Sequence, residues 1–299
     1  MSVLLTVDIG GTYTKLALVS NNLQLLEESQ VDTPATFQQL VQALTHYYKQ
    51  TVTNYQIKGI AISSPGSVKD TGEVLGYSSV PFLHEQNIKV GIEKRYDLPV
   101  SIENDANCAA LAEKWNGAAC DVETYACIVV GTGVGGAIVI NNQLHKGANL
   151  HGGEFGYAIM SSERQENTYD TWSIVGSSSA ITRRLKEEPP FFDGWTGELA
   201  FEYAKKDHAE AKKTIDEFFH SLAVGVFNIQ YMIDPEKILI GGGVTRQPGF
   251  MDQLHRQLDR IYENLSFASI HPNVQLCRHL DKAQLLGAAY VWKEKYGKW

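Results

Sequence analysis

The sequence predicts a mixed α/β protein of two domains, and three observations carry that expectation. At 299 residues the chain exceeds what one hydrophobic core usually supports, and 43% apolar residues supply material for two. Short β-branched runs alternate with stretches of helical apolar spacing along the chain. A strand, a glycine turn and a second strand at residues 3–19 recur in the same arrangement at residues 126–140.

Residues 3–7 read as a buried strand, Asp8-Ile9-Gly10-Gly11-Thr12 as a turn, and residues 14–19 as a returning strand. A turn bare of side chains lets backbone N–H groups and the Thr12 hydroxyl approach a phosphate. Asp8 at the strand end can hold a hydrated magnesium ion. An ordinary hairpin with a polar tip is the competing reading. Phe37, Leu40, Val41, Leu44 and Tyr48 recur at helical spacing, and residues 57–62 form the next strand. It ends in Ser63-Ser64-Pro65-Gly66-Ser67, a break that opens an irregular polar stretch over 69–83, either a cleft-lining loop or a connector.

An extended run at 98–102 then delivers Glu103-Asn104-Asp105-Ala106-Asn107 to the start of a helix reaching Trp115. A carboxylate there is fixed by the strand behind it and favoured by the helix N-terminus ahead, which suits a positioned base. Asn104 or Asp105 can equally be a plain N-cap. Residues 126–130 form a strand, Gly131-Thr132-Gly133-Val134-Gly135-Gly136 a second turn and residues 137–140 a strand again. A β-branched run, not a helix, follows these glycines, so the dinucleotide-binding reading fails, and no G-x-x-x-x-G-K-[ST] loop occurs. Lys146-Gly147 through Gly152-Gly153-Glu154-Phe155-Gly156-Tyr157 is a glycine-dense loop in which Glu154 can accept two sugar hydroxyls, or stand solvated. Beyond a polar stretch at 161–170, a helix starts near Ser177, an irregular excursion covers 187–197, and a central apolar helix spans 215–233. The strand at 237–240 runs into Gly241-Gly242-Gly243, where a flat adenine ring can lie against bare backbone. A helix at 250–262, a strand at 273–277 and a helix from Ala283 close the chain.

The net charge of -8, with no Lys/Arg block, argues against nucleic acid or an anionic membrane as partner and favours a small molecule. Cys108, Cys120, Cys127 and Cys277 show neither C-x-x-C nor His pairing, so they read as reduced packing residues. With no basic n-region and no run of about 18 apolar residues, a soluble cytoplasmic protein is expected.

Taken together, Asp8-Ile9-Gly10-Gly11-Thr12, Glu103-Asn104-Asp105-Ala106-Asn107, the Gly131–Gly136 turn, Gly153-Glu154-Phe155-Gly156, Ile240-Gly241-Gly242-Gly243 and Leu286-Gly287-Ala288-Ala289 resemble the ROK family (repressors, open reading frames, kinases) of sugar kinases. The resemblance spans nearly the whole chain. It implies an actin-like, ribonuclease-H-like ATPase fold of two lobes around a central cleft: residues 1–117 and 118–282, with the helix at 283–299 packing back on the first. It implies Asp105 as the base that takes the proton from a sugar hydroxyl, and Asn104, Glu154, Gly66, Tyr157 and Ser173 as sugar-site residues. Asp8, Gly10, Gly11, Thr12, Lys15, Gly131, Thr132, Gly133 and Gly135 would hold phosphates, Asp8 with magnesium through water, and Gly241, Gly242 and Gly243 the adenosine. ATP and magnesium are the implied cofactors, and a homodimer the implied assembly.

Departures from the family pattern refine this. Tyr157 stands where many members have a His that binds sugar and zinc, and no cysteine lies between Cys127 and Cys277, so no zinc site is expected. Ser173 aligns with a further sugar-binding Glu, and Ser79 with an Asn. These losses concentrate at the anomeric end of the sugar. The expected activity is therefore phosphorylation of the 6-hydroxyl of a β-glucoside such as cellobiose, with N-acetylmannosamine or glucose as alternatives. Family repressors carry a helix-turn-helix ahead of the first motif, which here begins at residue 8. A non-catalytic sugar sensor would be expected to lack Asp8 or Asp105, and both are present.

Overall fold

A computed structural model describes residues 1–163, 168–187 and 192–299, and the chain divides into two compact units. The first comprises Met1–Cys120, Lys146–His151 and Asp281–Trp299; the second comprises Asp121–His145 and Gly152–Leu280.

In the first unit β1 (Ser2–Ile9), β2 (Tyr13–Ser20) and β3 (Leu25–Asp32) form an antiparallel meander. Helix α1 (Phe37–Thr51) returns the chain to β4 (Gln56–Ser64), which pairs parallel with β1. A small hairpin of β5 (Ser67–Val68) and β6 (Val74–Leu75) and helix α2 (Ile88–Tyr96) precede β7 (Val100–Asn104), parallel to β4, and α3 (Asp105–Asn116) follows without a break. The sheet order is β3-β2-β1-β4-β7. The apolar faces of β1, β2, β4 and β7 form one core with Leu40 and Leu44 of α1 and Ile88 and Ile92 of α2. The C-terminal helix, Ala283–Tyr296, lies against α3, with Trp292 Nε1 donating to the Pro99 carbonyl at 3.0 Å.

The second unit repeats this plan. Strands β8 (Tyr125–Val130), β9 (Val134–Ile140) and β10 (Gln143–Leu144) form an antiparallel meander. A hairpin of β11 (Ile159–Glu163) and β12 (Thr168–Thr171) leads to helices α4 (Trp172–Gly176), α5 (Ser178–Glu187), α6 (Gly197–Lys205) and α7 (Ala209–Ile233). Strand β13 (Lys237–Gly241) pairs parallel with β8, and after α8 (Phe250–Asn264), β14 (Val274–Leu276) pairs parallel with β13. The order β10-β9-β8-β13-β14 has the same sequence of antiparallel and parallel joins as the first sheet. Its core gathers Ile128 and Val130, Trp172, Phe218, Phe219 and Val226, with Phe250 and Leu254 of α8.

Several elements depart from the sequence reading. Strand β3 is an edge strand paired only with β2 and mostly exposed, so it lacks the apolar alternation that marks a half-buried strand. The polar stretch after Gly66 contains the β5–β6 hairpin, and α2, α4 and α6 are too short or too mixed in pattern to announce themselves. Strands β11 and β12 occupy the polar stretch at 161–170, of which residues 164–167 lie outside the described residues. So do residues 188–191 of the excursion expected at 187–197. No helix among the described residues is long and apolar enough to cross a membrane.

Candidate active site

In the first unit the parallel strands β1, β4 and β7 bring their carboxyl ends to one edge of the sheet, where open α/β sheets bind ligands. Asp8, near the end of β1, accepts from Ser63 Oγ of β4 at 2.8 Å and faces Lys15 across the β1–β2 ladder. Burial pushes the Asp8 carboxyl above its ordinary range, against the opposing pull of the Ser63 hydrogen bond and the Lys15 charge. The turn between β1 and β2 is closed by Gly10 N–H donating to the Tyr13 carbonyl at 3.0 Å. Thr33 holds it from β3's end, its hydroxyl donating to the Gly10 carbonyl at 2.6 Å and its N–H to the Thr12 carbonyl at 2.9 Å. Gly11 and Thr12 remain exposed at the tip. Ser79 lies over Gly11, its Oγ 2.6 Å from where a side-chain carbon on that glycine would sit.

The junction between β7 and α3 resolves the question of the cap. Asn104 is the N-cap: its Oδ1 accepts from Asn107 N–H at 3.0 Å and its Nδ2 donates to the Gly66 carbonyl at 3.1 Å. Asp105 stands at the first helical position, one carboxylate oxygen accepting from Ala106 N–H at 2.8 Å. The helix N-terminus favours its charged form. Capping therefore uses part of the Asn104 amide, leaving one N–H and one acceptor lone pair for a ligand. Behind this turn the buried Glu103 accepts from Asn104 N–H at 2.9 Å and Asn107 Nδ2 at 3.0 Å, and pairs with Lys146 at 2.8 Å. The buried Cys108 thiol is pushed well up by burial first and then by the charges of Glu103, Asp8 and Asp105, which keeps it an inert packing group.

Ser63, Glu103 and Lys146 had no role in the sequence reading. Ser63 left a faint signal, a small hydroxyl residue ending an apolar strand, whereas Lys146 meets Glu103 across 43 positions of sequence (146 − 103) and leaves none.

In the second unit three glycine-rich loops meet at the carboxyl ends of β8 and β13. Gly131, Thr132 and Gly133 form the turn, with Gly131 N–H donating to the Gly133 carbonyl at 2.9 Å. Gly135 and Gly136, read from sequence as part of the turn, pair with Val129 and Ile128 inside the β9 ladder. Ser178 N–H at the start of α5 donates to the Gly131 carbonyl at 2.9 Å. Ser173 Oγ accepts from Val134 N–H at 3.0 Å and donates to the Val134 carbonyl at 3.4 Å, so its hydroxyl is occupied in bracing this turn.

The loop carrying Glu154 packs flush on the same strand. A Cβ on Gly156 would stand 2.1 Å from the Val134 carbonyl oxygen, so only glycine fits that contact. Glu154 is half-buried at the head of a single turn of 3-10 helix, and its carboxylate receives no hydrogen bond from any described residue. Tyr157, two residues past Phe155, is 72% exposed. The third loop abuts the first: Gly242 has φ +105°, and a Cβ there would lie 2.0 Å from the Val130 carbonyl oxygen. Thr245 Oγ1 donates to the Gly242 carbonyl at 2.8 Å, and Gly243 faces open space.

The donor set near Asp8 suits magnesium held through water: one hard carboxylate beside a bare turn, not an all-protein cage. Among the described residues no group of three or more His, Cys, Asp or Glu is placed to hold a metal ion.

Comparison with known proteins places this geometry. The ROK family model matches residues 4–295. The chain is 33% identical over 295 residues to a beta-glucoside kinase of Listeria monocytogenes, covering 95% of each. Its structure superposes on that of a ROK family protein from Streptococcus pneumoniae in complex with sucrose. The TM-score is 0.91 and the identity 32%, covering 99% of this chain and 100% of the other. A ROK family glucokinase from Streptomyces griseus, in complex with glucose and AMPPNP, superposes with a TM-score of 0.79 at 25% identity, covering 97% and 98%. The duplicated sheet is therefore the actin-like ATPase fold, and the chain belongs to the ROK family.

Proposed function

We propose that this protein is an ATP-dependent sugar kinase that phosphorylates the 6-hydroxyl of a hexose unit, with a β-glucoside such as cellobiose as substrate. The observation that carries the kinase reading is the β7–α3 junction. Asp105 stands at the helix N-terminus on a turn tied to Gly66, at the same sheet edge as Asp8 and the Gly10–Thr12 turn. Phosphoryl transfer to an alcohol asks little covalent chemistry of a protein; it asks for alignment, charge neutralisation and one proton acceptor.

Asp105 takes the proton from the sugar 6-hydroxyl as O6 attacks the γ-phosphorus. The O6–P bond forms, the bond to the β–γ bridging oxygen breaks, and ADP leaves with the electron pair. Asn104 and Glu154 hold sugar hydroxyls, with Gly66 supporting Asn104 from behind. The N–H groups of Gly11 and Gly133, in turns that the Gly10 and Gly131 N–H groups close, receive phosphate oxygens together with the Thr12 and Thr132 hydroxyls and Lys15. Gly242 and Gly243 leave backbone open to adenosine at the end of β13, in whose ladder Gly241 is paired. Asp8 would orient hydrated magnesium, which neutralises phosphate charge when bound.

The β-glucoside assignment rests on what stands near the expected anomeric position. Tyr157, 72% exposed, occupies the position of a sugar-gripping His, and the Ser173 hydroxyl is spent on Val134. On this reading neither residue grips O1, and an uncovered O1 admits a glycoside. The beta-glucoside kinase relative and the sucrose complex of the S. pneumoniae protein support a site open to more than a single hexose.

Turnover of ATP and magnesium against cellobiose, gentiobiose, salicin, glucose, N-acetylglucosamine and N-acetylmannosamine tests both levels. The disaccharides and salicin are expected to give the highest kcat/KM. Turnover restricted to free hexoses or amino sugars would reject the β-glucoside assignment and keep the kinase; no turnover with any would reject the kinase.

A further inference from the structure

We propose that Lys146 is a positioning residue for phosphoryl transfer, aiming Asp105 through Glu103; the proposal rests on the sugar-kinase reading above. Lys146 opens the Lys146–His151 segment, which packs with the first unit although the strands flanking it in sequence belong to the second. Its ammonium has three protons and three acceptors: Glu103 Oε2 at 2.8 Å, the Val68 carbonyl at 3.2 Å and Asp70 Oδ1 at 3.3 Å. Burial pulls its pKa down, but Glu103 and then Asp70 outweigh that pull and raise it, so the side chain is a fixed cation.

These bonds close a ring. Lys146 holds Glu103; Glu103 holds Asn104 N–H and Asn107 Nδ2; Asn104 Nδ2 holds the Gly66 carbonyl. Two residues beyond Gly66, the Val68 carbonyl returns to Lys146. Asp105 follows the ring member Asn104 and lies between two residues that Glu103 restrains, Asn104 through its backbone N–H and Asn107 through its side-chain amide. A buried carboxylate keeps such a geometry while its cation is present; without it, Glu103 must rotate toward water, which releases the turn. The Asp70 contact contributes little, because that side chain is 96% exposed.

The test is steady-state kinetics with the sugar that gives turnover, normalised to folded protein. Lys146→Met is expected to lower kcat by about 10- to 100-fold, the scale of a misplaced reacting group, with KM for ATP within about twofold. Lys146→Arg should recover most of the loss. Glu103→Gln should reproduce it, and the double variant should be no worse than the worse single one. Asp70→Asn should leave kcat within about twofold of wild type. A purely structural lysine would instead lower the folded fraction and leave kcat per folded molecule and KM unchanged. Unchanged kcat in Lys146→Met, or additive losses in the double variant, overturns the proposal. If Lys146→Met does not fold, unimpaired kcat in Glu103→Gln does so. Wild-type turnover separates the two levels: an inactive wild type sinks the kinase reading and this proposal together, whereas an active wild type with an insensitive Lys146 sinks this proposal alone.

Discussion

The two units share one sheet plan, yet they furnish the carboxyl ends of its parallel strands with opposite materials. At the ends of β1, β4 and β7 the first unit gathers Asp8, Ser63, Glu103 and Asp105, with Lys15 and Lys146 as counter-charges. At the ends of β8 and β13 the second unit gathers glycines, braced by the hydroxyls of Ser173 and Thr245, with Glu154 as the carboxylate. A common scaffold thus separates two tasks. One copy invests in charge, whose burial must be compensated side chain by side chain. The other invests in bare glycine backbone, whose demand is steric: nothing larger than hydrogen fits beside Val130 and Val134. The charged unit should therefore be sensitive to loss of a single functional group, and the glycine unit to gain of a single methyl.

The largest expected effect is on the charged side. Asp105→Asn keeps the side-chain shape and the oxygen that accepts from Ala106 N–H, but removes the proton acceptor. A general base supplies about a hundredfold to ten-thousandfold, so kcat should fall by that range with sugar binding and melting temperature preserved. Turnover within tenfold of wild type, measured by the coupled assay, would leave the charged edge without its base. The corresponding break on the other side is Gly242→Ala. Its φ of +105° and the 2.0 Å approach to the Val130 carbonyl predict a loss of about 2–4 kcal/mol in stability. Gly243→Ala, which meets open space, should melt as wild type does and affect only KM for ATP. Equal melting temperatures for the two variants would show that the glycine edge is not sterically set.

Much of this contrast is legible in the sequence. Both strand–turn–strand repeats, the helix after Asp105 and the glycine break after β13 stand where the pattern of β-branched runs and glycines puts them, because local chemistry decides such elements, although Gly241 belongs to the strand and only Gly242 and Gly243 to the break. Strand β3 was not legible, since an edge strand that buries little carries no alternation. Helix α2 was not, because only Ile88 and Ile92 of its nine residues are buried. Gly135 and Gly136 were assigned to the turn on composition, while the ladder with β8 claims them. The ring through Lys146 escaped for a different reason: its members lie at residues 66, 68, 103, 104 and 146, and only the fold brings them together.

A subtler distinction concerns Asp8. Burial raises its pKa, so in the free protein the folded state holds the proton more tightly than the unfolded chain does. That contribution to stability is present at low pH and is lost as pH rises through the raised folded value. At neutral pH a carboxyl buried here is therefore a net cost to folding, offset in part by Ser63 and Lys15. Asp8→Asn keeps an acceptor for Ser63 Oγ and removes the charge. Its melting temperature should exceed that of wild type by up to about 3 °C at pH 7 and converge with it toward pH 4, while activity with magnesium and ATP collapses. A lower melting temperature at pH 7 would mean that the charge is already compensated and that stability is not sacrificed at this edge.

The smallest effect tests the substrate half of the reading. Tyr157 is 72% exposed, so Tyr157→His removes little buried area and should leave the melting temperature within about 1 °C. An imidazole at this position can donate to a sugar hydroxyl that the tyrosine ring leaves uncovered. One added hydrogen bond to a neutral group is worth about 0.5–1.5 kcal/mol, so kcat/KM for glucose should rise by roughly 2- to 12-fold. Cellobiose, whose second ring needs that space, should gain nothing or lose. The ratio of the two kcat/KM values is the quantity to measure, because changes in active fraction cancel from it. A ratio that does not move would place the control of glycoside acceptance away from Tyr157, in the first unit's loops around Gly66 and Ser79.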